Sequence, residues 1–250
     1  MDIKKLTPAT WPSYDETRAA LFNGEIMLHY QPIVDLSTGE LRGYEALARW
    51  GSISPPEICR IVEGHNLELA WIRQQLAAID TILATEYPPT WISINITQRQ
   101  LMLPDLIALL NSSPHSSGLH VEVLESVRLD ERAAATLLKI KPRHILKADD
   151  IGSPEHAWID RLVGEHAEIF HGLKLCRGLT QKILTDKRTA AACRHMLELA
   201  GELGLETVAE WVESEPQAKQ LLAWGCTSGQ GSLYGLPQPW AHWQEKHPRR

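Results

Sequence analysis

Short apolar runs rich in β-branched residues alternate along the chain with longer stretches whose apolar positions recur every three or four residues. Ile26–Val34, Leu41–Trp50, Trp91–Ile96, Leu119–Leu124, Ile145–Asp149, Leu173–Leu175 and Glu206–Ala209 read as strands, and Thr227–Tyr234 closes the series. Between them, helices are predicted from Ser54-Pro55-Pro56-Glu57 onward, with Ser54 as N-cap, and over Leu67–Leu83, Gln98–Leu110 and Glu131–Lys139. Further helices are predicted over Glu155–Val163, Asp186–Leu203 and Pro216–Trp224. Seven or eight strands alternating with helices over 250 residues fit an α/β fold of the (β/α)8 barrel type, with an open doubly wound sheet as the alternative. The turn-forming Asp35–Glu40 between the first two strands predicts a hairpin, so the barrel is a modified TIM type with one antiparallel strand near its N-terminus. Residues 1–24 read as a short N-terminal extension and 25–250 as a single barrel domain.

The polar residues that interrupt these strands fall at or near their C-terminal ends. Asn95, Glu122, Asp149 with Asp150, Lys174, Glu210 and Gln230 all do so, and the C-terminal rim is where a barrel builds its active face. Glu45 and Arg49 share one face of Leu41–Trp50, together with Leu47, because side chains alternate along a strand. A buried acid and base there read either as a mutual ion pair or as the two halves of a site, one holding a cation and the other an anionic ligand.

Glu45, Glu122, Asp149, Asp150 and Glu210 place five carboxylates around one mouth, with Lys174 and Arg49 as counter-charges. Acids gathered this closely need protons or cations. Carboxylates plus an Asn carbonyl suit Mg²⁺, Mn²⁺ or Ca²⁺, and none of the eleven histidines has zinc-site spacing. Enough acids are present for two metals and in-line displacement at phosphorus.

Composition narrows the field further. A net charge of −6 without a basic tract argues against a nucleic-acid polymer as partner. Four widely spaced cysteines with no Cys-x-x-Cys pair argue against a disulfide scaffold and for a reducing, cytoplasmic setting. The chain opens without the apolar core of a signal peptide, and no run is long enough to span a membrane. The nine tryptophans are spread out and form no stacking platform in the sequence.

From Leu28 to Pro237 the chain resembles the EAL-domain cyclic-di-GMP phosphodiesterases. The resemblance is carried by Tyr30-Gln31-Pro32-Ile33-Val34, by Glu45-Ala46-Leu47-Ala48-Arg49-Trp50, by Asn95-Ile96-Thr97, and by Glu122-Val123-Leu124-Glu125-Ser126. Asp149-Asp150-Ile151-Gly152, Lys174, Ala209-Glu210-Trp211-Val212-Glu213 and Gln230-Gly231 follow in family order. It implies metal ligation by Glu45, Asn95, Glu122, Asp149 and Glu210, with Asp150 beside a second metal. It implies catalytic roles for Glu45, Glu210 and Lys174, the last positioning the attacking water. Gln31, Leu47 and Arg49 are then substrate contacts, Gln230 lies near both substrate and metal, and Glu125 braces the loop after Asp149-Asp150. The implied cofactors are Mg²⁺ or Mn²⁺ in a two-metal site, with Ca²⁺ as an inhibitory substitute. The implied reaction is hydrolysis of cyclic di-GMP to linear pGpG, lowering second-messenger signalling in biofilm and motility control. Implied partners are the dinucleotide, a second copy in a homodimer, and a regulatory protein.

Three positions depart from the family pattern. The loop after Asp149-Asp150 reads Ile151-Gly152-Ser153-Pro154, Cys176 stands where an acid follows Lys174, and Trp211 replaces the Gly after Glu210. Proline has none of glycine's backbone freedom, and Cys176 presents a thiol on the Lys174 face. These departures define the alternative: a catalytically impaired domain acting as a cyclic-di-GMP receptor or protein-interaction regulator.

Overall fold

The computed structural model describes residues 10–86, 88–153 and 159–246. Helix α1 (Tyr14–Phe22) opens on a capping box in which the Ser13 backbone N–H donates to the Glu16 carboxylate at 2.7 Å and the Glu16 N–H to Ser13 Oγ at 3.3 Å. Strands β1 (Met27–Asp35) and β2 (Leu41–Arg49) form the expected hairpin. Its turn is fixed by Asp35, whose carboxylate accepts from the N–H groups of Ser37 and Thr38. The chain continues through α2 (Pro55–Gly64), α3 (Glu68–Leu83), β3 (Ile92–Ile96), α4 (Gln98–Leu101), α5 (Leu106–Asn111), β4 (Leu119–Val123), α6 (Glu131–Ile140) and β5 (Leu146–Ile151). It ends with β6 (Gly172–Leu175), α7 (Arg177–Thr180), α8 (Lys187–Glu202), β7 (Glu206–Ala209), α9 (Glu215–Ala223), β8 (Ser228–Gln230) and α10 (Trp240–Lys246).

The eight strands close into a barrel in sequence order. β2 to β8 run parallel, whereas β1 is antiparallel to both of its neighbours, β2 and β8. Reversal turns β1 end for end, so its early residues, Gln31 among them, reach the rim where the other strands finish.

Two expected helices differ from the fold. The single helix read over Gln98–Leu110 is broken into α4 and α5, because Pro104 lies between them and cannot donate to a helical hydrogen bond. Within the helix read over Glu155–Val163, the described part holds only a 3₁₀ turn, Ile159–Arg161. Residues 154–158, including Pro154, lie outside the described residues. The closing strand is shorter than Thr227–Tyr234, three residues in all, because Gly231 begins a turn.

Two apolar layers hold the barrel. The outer layer packs the outward faces of the strands, such as Ile92, Ile94 and Ile96, against helix residues such as Ile58, Ile72 and Leu137. Full burial of one such side chain is worth about 1.5–3 kcal/mol. α1 adds Ala20 and Leu21 to that layer. Inside the barrel a separate cluster of Ile33, Trp91 and Val208 fills the floor. Trp91 fits only because β2 has glycine opposite it: a Cβ on Gly43 would stand 2.4 Å from the indole. The Lys147 ammonium lies 4.0 Å from the centre of the same ring, and His120 stacks on it at 4.5 Å. Among the described residues no helix is long and apolar enough to cross a membrane.

Candidate active site

Strand alternation and register bring the polar residues together above this floor. Gln31 lies opposite Glu45, Asn95 opposite Glu122, and Glu122 opposite Lys147, all facing inward. At the centre stands Lys174, only 1% exposed. Its Nζ is 3.1 Å from Glu45 Oε2, 3.0 Å from Glu122 Oε2, 3.2 Å from Asp149 Oδ1 and 2.7 Å from Glu210 Oε1. Glu45 also accepts from Asn95 Nδ2 at 2.7 Å and from Gln230 Nε2 at 2.7 Å. Gln230 donates to Gln31 Oε1 as well, at 3.2 Å, and Gln31 in turn donates to Gly235 O at 3.1 Å.

Glu45 therefore pairs with Lys174 and not with its strand neighbour Arg49, whose Nη1 donates to the carbonyl of Ala48 at 2.7 Å. Asp150 is not among the four partners of Lys174; it turns at φ +52° and lines the cleft beside Asp149. Cys176 follows β6 as the N-cap of α7, buried near Asp150 and Glu210. Burial first, and those two acids second, push its thiol pKa up.

Four carboxylates against one ammonium leave three uncompensated negative charges if every acid ionises. The acids respond unequally. Burial works against ionisation of Glu45, but Lys174 and the two amide donors outweigh it and hold its pKa below the usual value. Burial, reinforced by neighbouring acids, pushes Glu122 up to about 7 and Glu210 up to about 8, and raises Asp149. Lys174, despite its burial, is held well above its ordinary value by the surrounding carboxylates.

The donor set fits a hard divalent cation. Asn95 Oδ1 and Glu122 Oε1 are buried without a hydrogen-bond partner among the described residues, and Glu122 Oε2 and Asp149 Oδ1 face the Lys174 ammonium at 3.0 Å and 3.2 Å. Oxygen-only donors of this kind suit Mg²⁺ or Mn²⁺. Among the described residues no three His, Cys, Asp or Glu side chains are themselves gathered into a metal cage; what the acids share is the Lys174 ammonium.

A pH dependence follows. The folded state retains protons on Glu122 and Glu210 that the unfolded chain releases near the ordinary carboxylate value. Their contribution to stability is complete below that value and is lost as pH rises through about 7 and about 8. Melting scans in EDTA from about pH 6 to about pH 9 are expected to show a falling melting temperature, and added Mn²⁺ is expected to reverse the fall. A flat profile in EDTA would contradict the shifts.

The cleft over this centre has two lobes that share Glu45 and Leu47. The larger, about 860 Å³, is lined by Asn95, Arg60, Glu125, Asp149 and Asp150 among others. The smaller, about 430 Å³, is lined by Gln31, Glu210, Trp211, Gln230, Leu236 and Pro237 among others.

One structural residue was not read from the sequence. Arg161, buried, donates from Nη1 to Val123 O at 2.9 Å and from Nη2 to Leu124 O at 2.8 Å, Glu125 O at 3.2 Å and Val127 O at 2.7 Å. It thereby ties down the loop after β4 that carries Glu125. Its sequence signal is slight: a base next to Asp160, flanked by Ile159 and by Leu162-Val163.

Fold and site together define a barrel whose C-terminal rim carries a ring of acids closed around one lysine. The chain belongs to the EAL-domain family: the EAL domain profile matches residues 15–237. It is 31% identical over 255 residues to the cyclic di-GMP phosphodiesterase RocR of Pseudomonas aeruginosa, covering 96% of this chain and 64% of RocR. It is 29% identical to the bifunctional diguanylate cyclase/cyclic di-GMP phosphodiesterase MucR of the same organism, covering 90% of this chain and 35% of MucR. The chain thus spans less than two-thirds of the length of these relatives. Among solved structures, the MucR phosphodiesterase in complex with c-di-GMP aligns with TM-score 0.78 at 25% identity, over 92% of this chain and 98% of that one. The EAL enzyme Bd1971, bound to cAMP and cyclic di-GMP, aligns with TM-score 0.80 at 25% identity, over 93% and 67%.

Proposed function

We propose that this chain is a divalent-metal phosphodiesterase that opens cyclic di-GMP to linear pGpG. The observation that carries the reading is the buried Lys174 ringed by Glu45, Glu122, Asp149 and Glu210 between two lobes of one cleft. A ligand with two bases joined through a phosphate–sugar ring suits two lobes that meet at a charged centre. Glu45, Asn95, Glu122, Asp149, Asp150 and Glu210 would hold Mg²⁺ or Mn²⁺. When bound, the metal supplies charge neutralisation at the phosphate and a more acidic water.

The chain's own residues then set the geometry. Lys174 positions the attacking water, while Gln31 and Gln230 fix Glu45 from the β1–β8 side. Arg49 reaches a phosphate, Leu47 packs between the lobes, and Glu125 braces the loop beside Asp149 and Asp150. Water oxygen bonds to phosphorus, the bond to the ribose 3′ oxygen breaks, and that oxygen leaves with a proton. In a bacterial cytoplasm this reaction lowers the signal that governs biofilm and motility, with a homodimer or a protein partner as the regulatory setting.

Incubation of the purified protein with cyclic di-GMP and Mg²⁺ or Mn²⁺, followed by chromatography, is expected to yield pGpG. A second reading, a receptor that binds without cleaving, is favoured by Cys176, which offers a protonated thiol where the resemblance places an acid. Calorimetric binding without turnover under either metal would select it. Cys176→Asp is then expected to raise turnover, and an unchanged rate in that variant would clear the thiol of responsibility.

A further inference from the structure

Trp211 holds a backbone conformation that its side chain disfavours. Its φ of +55° lies in the left-handed region that bulky residues avoid. The surroundings over-determine the turn. Buried Gln217 donates from Nε2 to Trp211 O and to Thr180 O, each at 2.9 Å, and its Oε1 accepts from the Glu213 N–H at 2.8 Å. The next residue, Val212, donates from its backbone to Gln230 O at 3.0 Å. A strained turn clamped on both sides, one residue beyond Glu210, points to use.

The indole is not recovering the strain by burial, since the residue is 44% exposed. The Arg177 guanidinium lies over its ring, 4.2 Å from the centre, and fixes its orientation. The side chain lines the smaller lobe, where Leu47, Leu236 and Pro237 add apolar surface and the Gln31–Gln230 pair adds polar groups. Leu236 is 60% exposed, so this wall is open to a ligand. A flat aromatic wall with apolar flanks accepts a planar heterocycle.

We propose that Trp211, held by Arg177, stacks on one purine base of the dinucleotide in the smaller lobe and sets the affinity for it. The proposal rests on the cyclic-di-GMP reading given above. It concerns a position outside the ring of acids, so it predicts an effect on binding rather than on chemistry.

The test compares the unsubstituted protein with Trp211→Gly and Trp211→Phe. Each is titrated calorimetrically with cyclic di-GMP and assayed for pGpG with Mn²⁺. Trp211→Gly is expected to weaken binding about tenfold and to raise KM by a similar factor with kcat nearly constant. Trp211→Phe keeps a ring and is expected to stay within about threefold of the unsubstituted protein. Glycine relaxes at positive φ, so Trp211→Gly should remain folded, and a melting scan separates lost affinity from lost structure. Equal affinity in Trp211→Gly overturns the proposal, and so does tighter binding, which would make the indole an obstruction of the lobe. Absence of cyclic-di-GMP binding by the unsubstituted protein would instead overturn the functional reading beneath it, before any variant is compared.

Discussion

Lys174→Met is expected to destabilise the protein by about 3–5 kcal/mol and to abolish pGpG formation. The methionine keeps an unbranched apolar chain nearly as long as lysine's stem and lacks the ammonium, so the change chiefly removes the charge. It leaves Glu45, Glu122, Asp149 and Glu210 facing one another without their shared cation. Acids left this way must take up protons, and every proton gained at neutral pH is a donor atom lost to a metal. Urea unfolding read by circular dichroism measures the first effect and the chromatographic assay the second. Because Mn²⁺ can replace the missing positive charge, its addition should restore much of the unfolding midpoint without restoring turnover. A variant as stable as the unsubstituted protein in EDTA would refute the view that one ammonium holds the ring together.

Glu45→Ala is expected to lower turnover by about a thousandfold while leaving the barrel folded. Glu45 is the one acid on which Lys174, Asn95 and Gln230 all converge. Its removal frees two amides and takes the central oxygens from the site, yet Lys174 keeps Glu122, Asp149 and Glu210. The stability loss should therefore be smaller than for Lys174→Met, about 1–3 kcal/mol for the donors left unpaired. Activity assays paired with circular dichroism separate the two outcomes, and full activity in Glu45→Ala would remove Glu45 from the site.

Much of this architecture was legible because the barrel repeats one physical rule. A strand that packs outward on helices and ends in a polar side chain at the rim announces both its class and its chemistry. Asn95, Glu122, Asp149, Lys174, Glu210 and Gln230 could be placed on one mouth from that rule alone. The choice between ion pair and site at Glu45 and Arg49 could not be made from strand alternation, which puts both on one face but says nothing of what faces them. What strand alternation could not supply is the partner itself: Glu45 pairs with Lys174, 129 residues away in sequence, and not with Arg49.

The errors were equally physical. Periodicity carried a helix through Gln98–Leu110, although Pro104 was enough to break it. The Ser13–Glu16 capping box that starts α1 was in the sequence and was not used; the apolar stripe behind it is too weak to draw attention by itself. Arg161 read as a helix residue, and its four carbonyl partners on residues 123–127 leave no trace in local pattern. Trp211 read only as a departure from the family glycine beside Glu210; its left-handed turn is a tertiary property, imposed by Gln217 and by the end of β8.

The reversal of β1 has a consequence for how the protein matures. Gln31 meets Gln230 across 199 residues of chain, Gln230 meets Glu45 across 185, and the Trp243 indole reaches Tyr30 across 213. Such closures confine the longest loops and bring their reward only after most of the intervening strands are in register. The seam with the largest loop-closure cost is thus the one that borders the ring of acids. A nascent or nicked chain can carry nearly all of its helices and still have no assembled cleft, so ligand binding reports completion of the barrel more strictly than helix content does.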